Sequence, residues 1–353
     1  MAYTTINKST EHFDTKTWSG NNTDPTTISG LNFQPDMIWG KARSGSYSTQ
    51  DHCMNDAVRG ANKVLRVNQT NAEETDDNNI KSFTSDGWTM GNDGKINQAS
   101  TEYVGWSWKA GGGQGSSNTD GSINTTYTSV NTTAGFSIST YTGNGTAGAT
   151  IGHGLGVGVV PKMIIVKNKT HAGGNWVVYH ESLGNTKAIY LDLTSASGTA
   201  GAWNNTSPTS SVFTVNDANA LNGSGGREYV AYCFAEKTGY SKFGKYTGNG
   251  NADGTFIYTG FKPAFVMSKR TDATDGWRIM DATRSSFNVA QHRLLADSSA
   301  AEVVGASQDK DFLSNGFKIR NTDSGYNGSG ATYIYMAFGQ SLVGSNNVPC
   351  TAR

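Results

Sequence analysis

The residues with the most obvious chemical potential are two charged pairs, Asp56 with Arg59 and Asp281 with Arg284, each three positions apart. At that spacing an arginine can fold back on its carboxylate as a structural ion pair or turn contact. The competing reading is a catalytic carboxylate pair, because two carboxylates at any sequence separation can meet in space. His180 and Glu181 stand at a related place in the middle of the chain and suggest a general base, but no arginine follows them. We therefore expect both Asp–Arg pairs to be structural. Acidic clusters at Glu73–Glu74 with Asp76–Asp77, at Asp272 and Asp275, and at Asp309 and Asp311 offer oxygen ligands for calcium. Their spacing matches no calcium loop and predicts solvated loop charge. The six histidines fall at no metal-ligand spacing. The run GHGLGVG at 152–158 imitates a dinucleotide loop but leads into a strand rather than a helix. Trp203, flanked by Asn204 and Asn205 in a polar stretch, could stack on a sugar ring beside amide groups; the alternative is a core anchor for its loop. No catalytic residue, cofactor or metal is expected.

What positions these residues is a repeat. Trp18-Ser-Gly-Asn recurs as Tyr141-Thr-Gly-Asn-Gly and Tyr246-Thr-Gly-Asn-Gly. A proline then opens an apolar run that ends in lysine, with the same interval in Pro35–Lys41, Pro161–Lys167 and Pro263–Lys269. An apolar run with an acidic or histidine residue follows: CMNDAVRG, WVVYHESLG and WRIMDATR. Next come FTSDGWTMGN, VFTVND and FLSNGFKIRN, and the closing runs EYVGWSWKA, EYVAYCFAE and TYIYMAFGQ. The period, 126 residues from Pro35 to Pro161 and 102 from Pro161 to Pro263, is the size of a small domain, so three units with separate cores are expected. Alternation puts Val104, Trp106 and Trp108 on one face of a strand, with lighter residues opposite. That predicts a strand packed mainly on one core. The unbroken apolar run after Pro161 predicts a central strand, and the Asp86-Gly87 and Asn315-Gly316 dipeptides predict hairpins. Residues 71–81 are too polar to predict more than a surface turn.

The expected class is all-β: three tandem β-sandwich domains, lectin-like or jelly-roll-like. The boundaries read as an N-terminal arm at 1–12, which is an attachment arm or an added edge strand, and units at 13–110, 135–237 and 238–344. A Gly/Ser/Thr-rich linker at 111–134 and a C-terminal tail at 345–353 complete the division. The linker reads as flexible and the short second junction as the more rigid one.

Bulk composition excludes more than it assigns. Lys plus Arg and Asp plus Glu are 28 each, for zero formal net charge, so no basic stripe points to nucleic acid. Three scattered cysteines make no disulfide framework; Cys53 and Cys233 read as buried and Cys350 as exposed. The sequence carries no secretory-type opening and no apolar run long enough to span a membrane, so membrane insertion is not expected.

The motifs together resemble a tandem domain common in structural proteins of marine tailed bacteriophages, including cyanophages. The resemblance rests on Trp18-Ser-Gly-Asn, Phe33-Gln-Pro35, Asp56-Ala-Val-Arg59-Gly60, Trp106-Ser-Trp108-Lys-Ala-Gly-Gly-Gly113 and the opening MAYTTINKS, and spans nearly the whole chain. Unit 2 departs from it, with His180, Glu181 and Gly184 but no arginine. The resemblance implies a non-enzymatic virion component, a tail fibre, appendage or capsid-associated decoration, made in the host bacterial cytoplasm. It implies other virion proteins as partners, a homo-oligomer with a trimer favoured, and contact with host-surface glycan. The alternatives are a carbohydrate-binding adhesin and a glycan-degrading enzyme.

Overall fold

The three proline-to-lysine runs form strands Met37–Gly45, Met163–Asn168 and Lys262–Arg270. The computed structural model describes residues 4–343. In each unit the lysine strand pairs antiparallel with the closing strand on one side and the acidic strand on the other. The closing strands are Thr101–Trp108, Glu228–Phe234 and Thr332–Gln340; the acidic strands are Cys53–Asp56, Val177–His180 and Trp277–Asp281. Entry strands Phe13–Ser19, Phe136–Thr142 and Ser241–Thr247 flank the closing strands. Beyond each acidic strand lie an outer strand (Gly60–Arg66, Lys187–Tyr190, His292–Leu295) and a two-residue edge. The central place of the lysine strand follows from its composition: Met163–Asn168 is buried at every position, as expected of a strand covered on both faces.

A smaller sheet packs against each large one. It comprises Thr26–Ile28, Gly87–Met90 and Ile80–Thr84 in unit 1, Ala149–Gly152 with Val212–Val215 in unit 2, and Phe256–Tyr258, Gly316–Ile319 and Lys310–Leu313 in unit 3. The fold is therefore all-β and multi-sandwich. Both hairpins form, but the turns are Ser85-Asp86 and Ser314-Asn315, and the glycines open the returning strands. Glycine is needed there because a Cβ on Gly87 or Gly316 would meet the carbonyl oxygen of Ile28 or Ile257 at 1.9 and 2.1 Å. Within 71–81, Glu74–Thr75 forms an edge strand and Ile80 begins another.

Two expectations about the core need correction. The closing strand is buried on both faces: Tyr103 and Ser107 are as enclosed as Val104, Trp106 and Trp108. The lighter face packs under the unit's own small sheet, where Tyr103, Trp88 and Cys53 share one cluster; units 2 and 3 have equivalent clusters. The heavy face joins neither neighbour singly. Trp106, Trp108, Tyr232, Phe234, Met336 and Phe338 belong to one cluster drawn from all three large sheets. The rings of Trp108, Phe234 and Phe338 close a triangle with centroids 6.3, 6.1 and 5.8 Å apart. The units are thus faces of a three-sided prism: each keeps a sandwich core of its own, and the three together enclose a further core that they share. The residues are heavy on this face because three sheets must fill the space between them.

The Gly/Ser-rich segment after unit 1 is laid down rather than free. Asp36, fully buried, accepts the amides of Ala110, Gly112 and Gly113 at 2.7, 3.0 and 2.8 Å. Tyr127–Asn131 then adds an edge strand beside the entry strand of unit 2. The N-terminal arm is no edge strand in its described part: it forms a short 3-10 turn at Ser9–Glu11, Ile6 enters the shared core, and the Ser9 amide bonds Gln340 Oε1 at 2.7 Å. The tail at 345–353, including Cys350, lies outside the described residues.

Candidate functional site

The Asp–Arg pairs sit where the units meet. Register makes Asp56, His180 and Asp281 equivalent, opposite Met37, Met163 and Phe265 of the lysine strands. Arg59 Nε donates to Asp56 Oδ2 at 2.5 Å, and Arg284 Nε to Asp281 Oδ2 at 2.5 Å. Both ion pairs are fully enclosed. The second partner of each aspartate comes from another unit: the Tyr232 hydroxyl donates to Asp56 Oδ2 at 2.7 Å, and Trp106 Nε1 to Asp281 Oδ2 at 3.0 Å. Tyr232 and Trp106 are equivalent positions of the closing strands, and the third is Met336, which has no proton to donate. The third junction uses His180 instead. Its Nδ1 accepts the Ser182 amide at 3.2 Å, so Nε2 carries the proton and donates to Tyr335 O at 3.1 Å. Burial lowers His180 to about 4, so the ring is neutral at neutral pH.

Two further rings repeat the pattern. His52, Trp176 and Trp277 precede or open the acidic strands and donate across the junctions to Leu295 O, Arg66 O and Tyr190 O at 2.9, 3.0 and 2.8 Å. The amides of Glu73, Ser197 and Glu302 donate to Lys169 O, Thr271 O and Arg43 O at 2.7, 3.0 and 2.8 Å. Glu73 and Glu302 then bind Arg59 and Arg284 at 3.0 and 2.8 Å. In unit 2 Leu183 replaces the arginine and Ser197 the glutamate, so aspartate, arginine and glutamate are absent together. The more extensively paired junctions are therefore 1/2 and 3/1, although the 2/3 connection is the shorter.

The lysines that end the apolar runs are buried and point at carbonyl oxygens. Lys41 Nζ meets Ala42 O and Ser48 O at 2.6 and 2.7 Å, Lys167 Nζ meets Gly174 O at 2.5 Å, and Lys269 Nζ meets Thr194 O at 2.9 Å and also Asp275 O. Burial lowers each of the three to about 8 from 10.5. Lys310, enclosed over the rings of Phe317 and Tyr326, is lowered to about 7. Above the folded pKa and below the unfolded one, the unfolded chain holds more protons, so stability rises with pH. The rise continues until Cys53, raised to about 12 from 9.0 by burial, begins to oppose it. Thermal melts should show higher stability at about pH 9 than at about pH 7, by roughly 1 kcal/mol per lysine. A flat profile would mean that the carbonyls hold the ammonium groups at their ordinary value.

The Gly-Asn landmark has its own explanation. Asn97, Asn222 and Asn327 are fully buried and hold the loop after the entry strand. Asn327 Nδ2 donates to Asn249 Oδ1, Asn251 O and Asn321 O at 2.9, 2.7 and 3.0 Å, and its Oδ1 accepts the Asn249 amide at 2.9 Å. The residue after the landmark asparagine has positive φ in every unit: Asn22 at 56°, Gly145 at 70° and Gly250 at 68°. The aromatic before it stacks on the tyrosine of the closing strand, with Trp18–Tyr103, Tyr141–Tyr229 and Tyr246–Tyr333 centroids at 5.5, 5.1 and 4.7 Å. Asn327→Ala strips these bonds in a closed site and should lower stability by about 2–4 kcal/mol in denaturant titration. The three asparagines recur in the sequence at matching places, a signal the landmark reading passed over.

The other residues singled out are not brought together. Trp203 is no sugar platform: it is 1% exposed and packs edge-on against Tyr179 at 5.6 Å in the unit 2 core. Asn204 and Asn205 are exposed turn residues with φ of 48° and 52°. Glu181 pairs with Lys162 while its neighbour His180 points to Tyr335. Asp272 pairs with Arg270, Asp275 with Arg278 and Glu74 with Arg66. Among the described residues no three metal-capable side chains cluster, and no helix is long and apolar enough to cross a membrane. Cys53 and Cys233 are buried free thiols.

A family known only as a domain of unknown function, DUF7483, matches residues 8–341 as one unit. The chain belongs to this family. The match runs through all three repeats, so it covers the whole prism of this chain and not one of its faces. No curated protein matches the chain.

Proposed function

We propose that the chain is a non-enzymatic structural component of a bacteriophage particle, a tail fibre, appendage or capsid-associated decoration, that contributes to assembly and host contact. The sequence resemblance supplies the setting. The observation that carries the reading is the use made of recurring polar groups. The Asp–Arg pairs, the buried lysines and the ring-bonded His52 and His180 are enclosed and bonded to backbone or to a neighbouring unit. Groups spent in this way rigidify a body rather than face a substrate. Partners would be other particle proteins. A trimer of whole chains would use the outer surfaces, since the faces around the internal pseudo-threefold axis are already buried. Antibody labelling and electron microscopy of purified particles should place the protein on the mature virion; its absence there would overturn the proposal.

A second reading, a carbohydrate-binding adhesin, draws on exposed aromatics concentrated in unit 3. Phe256 and Tyr258 are 43% and 60% exposed on one face of an edge strand, where units 1 and 2 carry Thr27 and Ser29, and Thr150 and Gly152. On that reading Phe256→Ala with Tyr258→Ala abolishes retention on host polysaccharide and leaves folding intact; unchanged retention would remove this face as the contact.

A further inference from the structure

We propose that the groove between units 2 and 3 binds an acidic saccharide through its carboxylate or sulfate group. The three junctions between units are equivalent in position but not in charge. At 1/2, the Glu73 carboxylate enters beside Arg59; at 3/1, Glu302 bridges Arg284 and Arg43 at 2.8 Å to each. These junctions supply their own anion. At 2/3 the equivalents are Ser197 and Leu183, and no glutamate enters. What remains is an open groove of about 310 Å3, against about 230 Å3 at 1/2.

The charge left in it is positive. Lys187 and Lys245 line the groove and are exposed, and their ammonium groups have no ion-pair or hydrogen-bond partner among the described residues. By contrast, the cations of the 1/2 groove are neutralised, Arg59 by Asp56 and Glu73, and Lys169 by Glu228 at 2.6 Å. One carboxylate, Asp272, also lines the 2/3 groove, but Arg270 Nε holds it at 2.7 Å and the Thr332 amide at 3.3 Å. Ser182, Ser197, Thr271 and Thr332 give the walls hydroxyls, while Leu183 and Ile334 give an apolar surface. Two free ammonium groups, hydroxyls and an apolar patch suit a polyol that carries an anion better than a free ion or a neutral sugar.

The inference stands apart from the particle reading: an empty groove leaves the protein's place in a virion untouched, and a filled one does not establish it. The test is calorimetric titration of the full chain with a trigalacturonate, a sulfated trisaccharide and neutral maltotriose. One or both acidic ligands should bind, with affinity falling as salt rises, and maltotriose should not. Lys187→Ala and Lys245→Ala should each weaken binding by roughly ten-fold, the loss of one charge-assisted contact. Leu183→Arg with Ser197→Glu rebuilds the internal pair of the other junctions and should abolish binding while the fold is kept. Should that variant misfold, the lysine variants still decide. Failure of both acidic ligands to bind, equal binding of maltotriose, or indifference to both lysine changes would each overturn the proposal.

Discussion

A fragment carrying residues 135–237 alone is expected not to fold as a monomer. Its own sandwich core would survive excision, but the opposite face of its large sheet would not. Ile138, Met163, Ile165, Trp176, Val230 and Phe234 all lie in the cluster shared by the three units and would be exposed together. At about 1.5–3 kcal/mol for each large apolar side chain, six of them amount to roughly 9–18 kcal/mol, as much as the roughly 5–15 kcal/mol that holds a typical domain. Polar losses add to this: Trp176 Nε1 would lose Arg66 O, and the Tyr232 hydroxyl would lose Asp56. The fragment has one soluble alternative, which is to associate with two further copies and rebuild the prism. Circular dichroism melts with sedimentation should therefore report either no cooperative transition or a trimer. A monomer that unfolds cooperatively would show that the shared face is dispensable.

That expectation also marks the boundary of what can be read from the residues alone. The repeat, the all-β class, the central lysine strand and the hairpins are legible because they depend on local alternation and turn chemistry. The Asp–Arg ion pairs are legible because three residues separate the partners. The prism is not, because period and spacing describe each unit and say nothing of how the units face one another. Val104, Trp106 and Trp108 can be assigned to one face, yet whether that face meets one sheet or three is decided by residues more than a hundred positions away. Trp203 misleads for a related reason: its polar neighbours suggest exposure, but the chain turns at Asn204 and Asn205 and sends the indole inward. The departure of unit 2 is visible as a missing arginine. Its meaning appears only once Met336 and Ser197 are seen across the same junction.

The inter-unit lock gives the second large effect. Asp56→Ala should destabilise the protein by about 3–5 kcal/mol, the range for removing one partner of an enclosed ion pair. Arg59 would keep Glu73 but lose its close carboxylate, and the Tyr232 hydroxyl would be left without its acceptor. The change should be read as a shift in denaturant midpoint at constant slope. The protein's own third junction indicates how the loss could be recovered. Asp56→His, Arg59→Leu and Glu73→Ser reproduce the unit 2 set, but Tyr232 would then present a hydroxyl where the native 2/3 junction presents Met336. Adding Tyr232→Met removes that conflict, so the four changes together should be more stable than Asp56→Ala alone despite altering more of the site. Removing a buried pair together with its partners is milder than orphaning one member. If the fourfold variant is the less stable of the two, the junctions are not interchangeable solutions to one packing problem. If Asp56→Ala instead matches the unaltered protein, the lock is incidental, and the apolar core alone holds the three faces together.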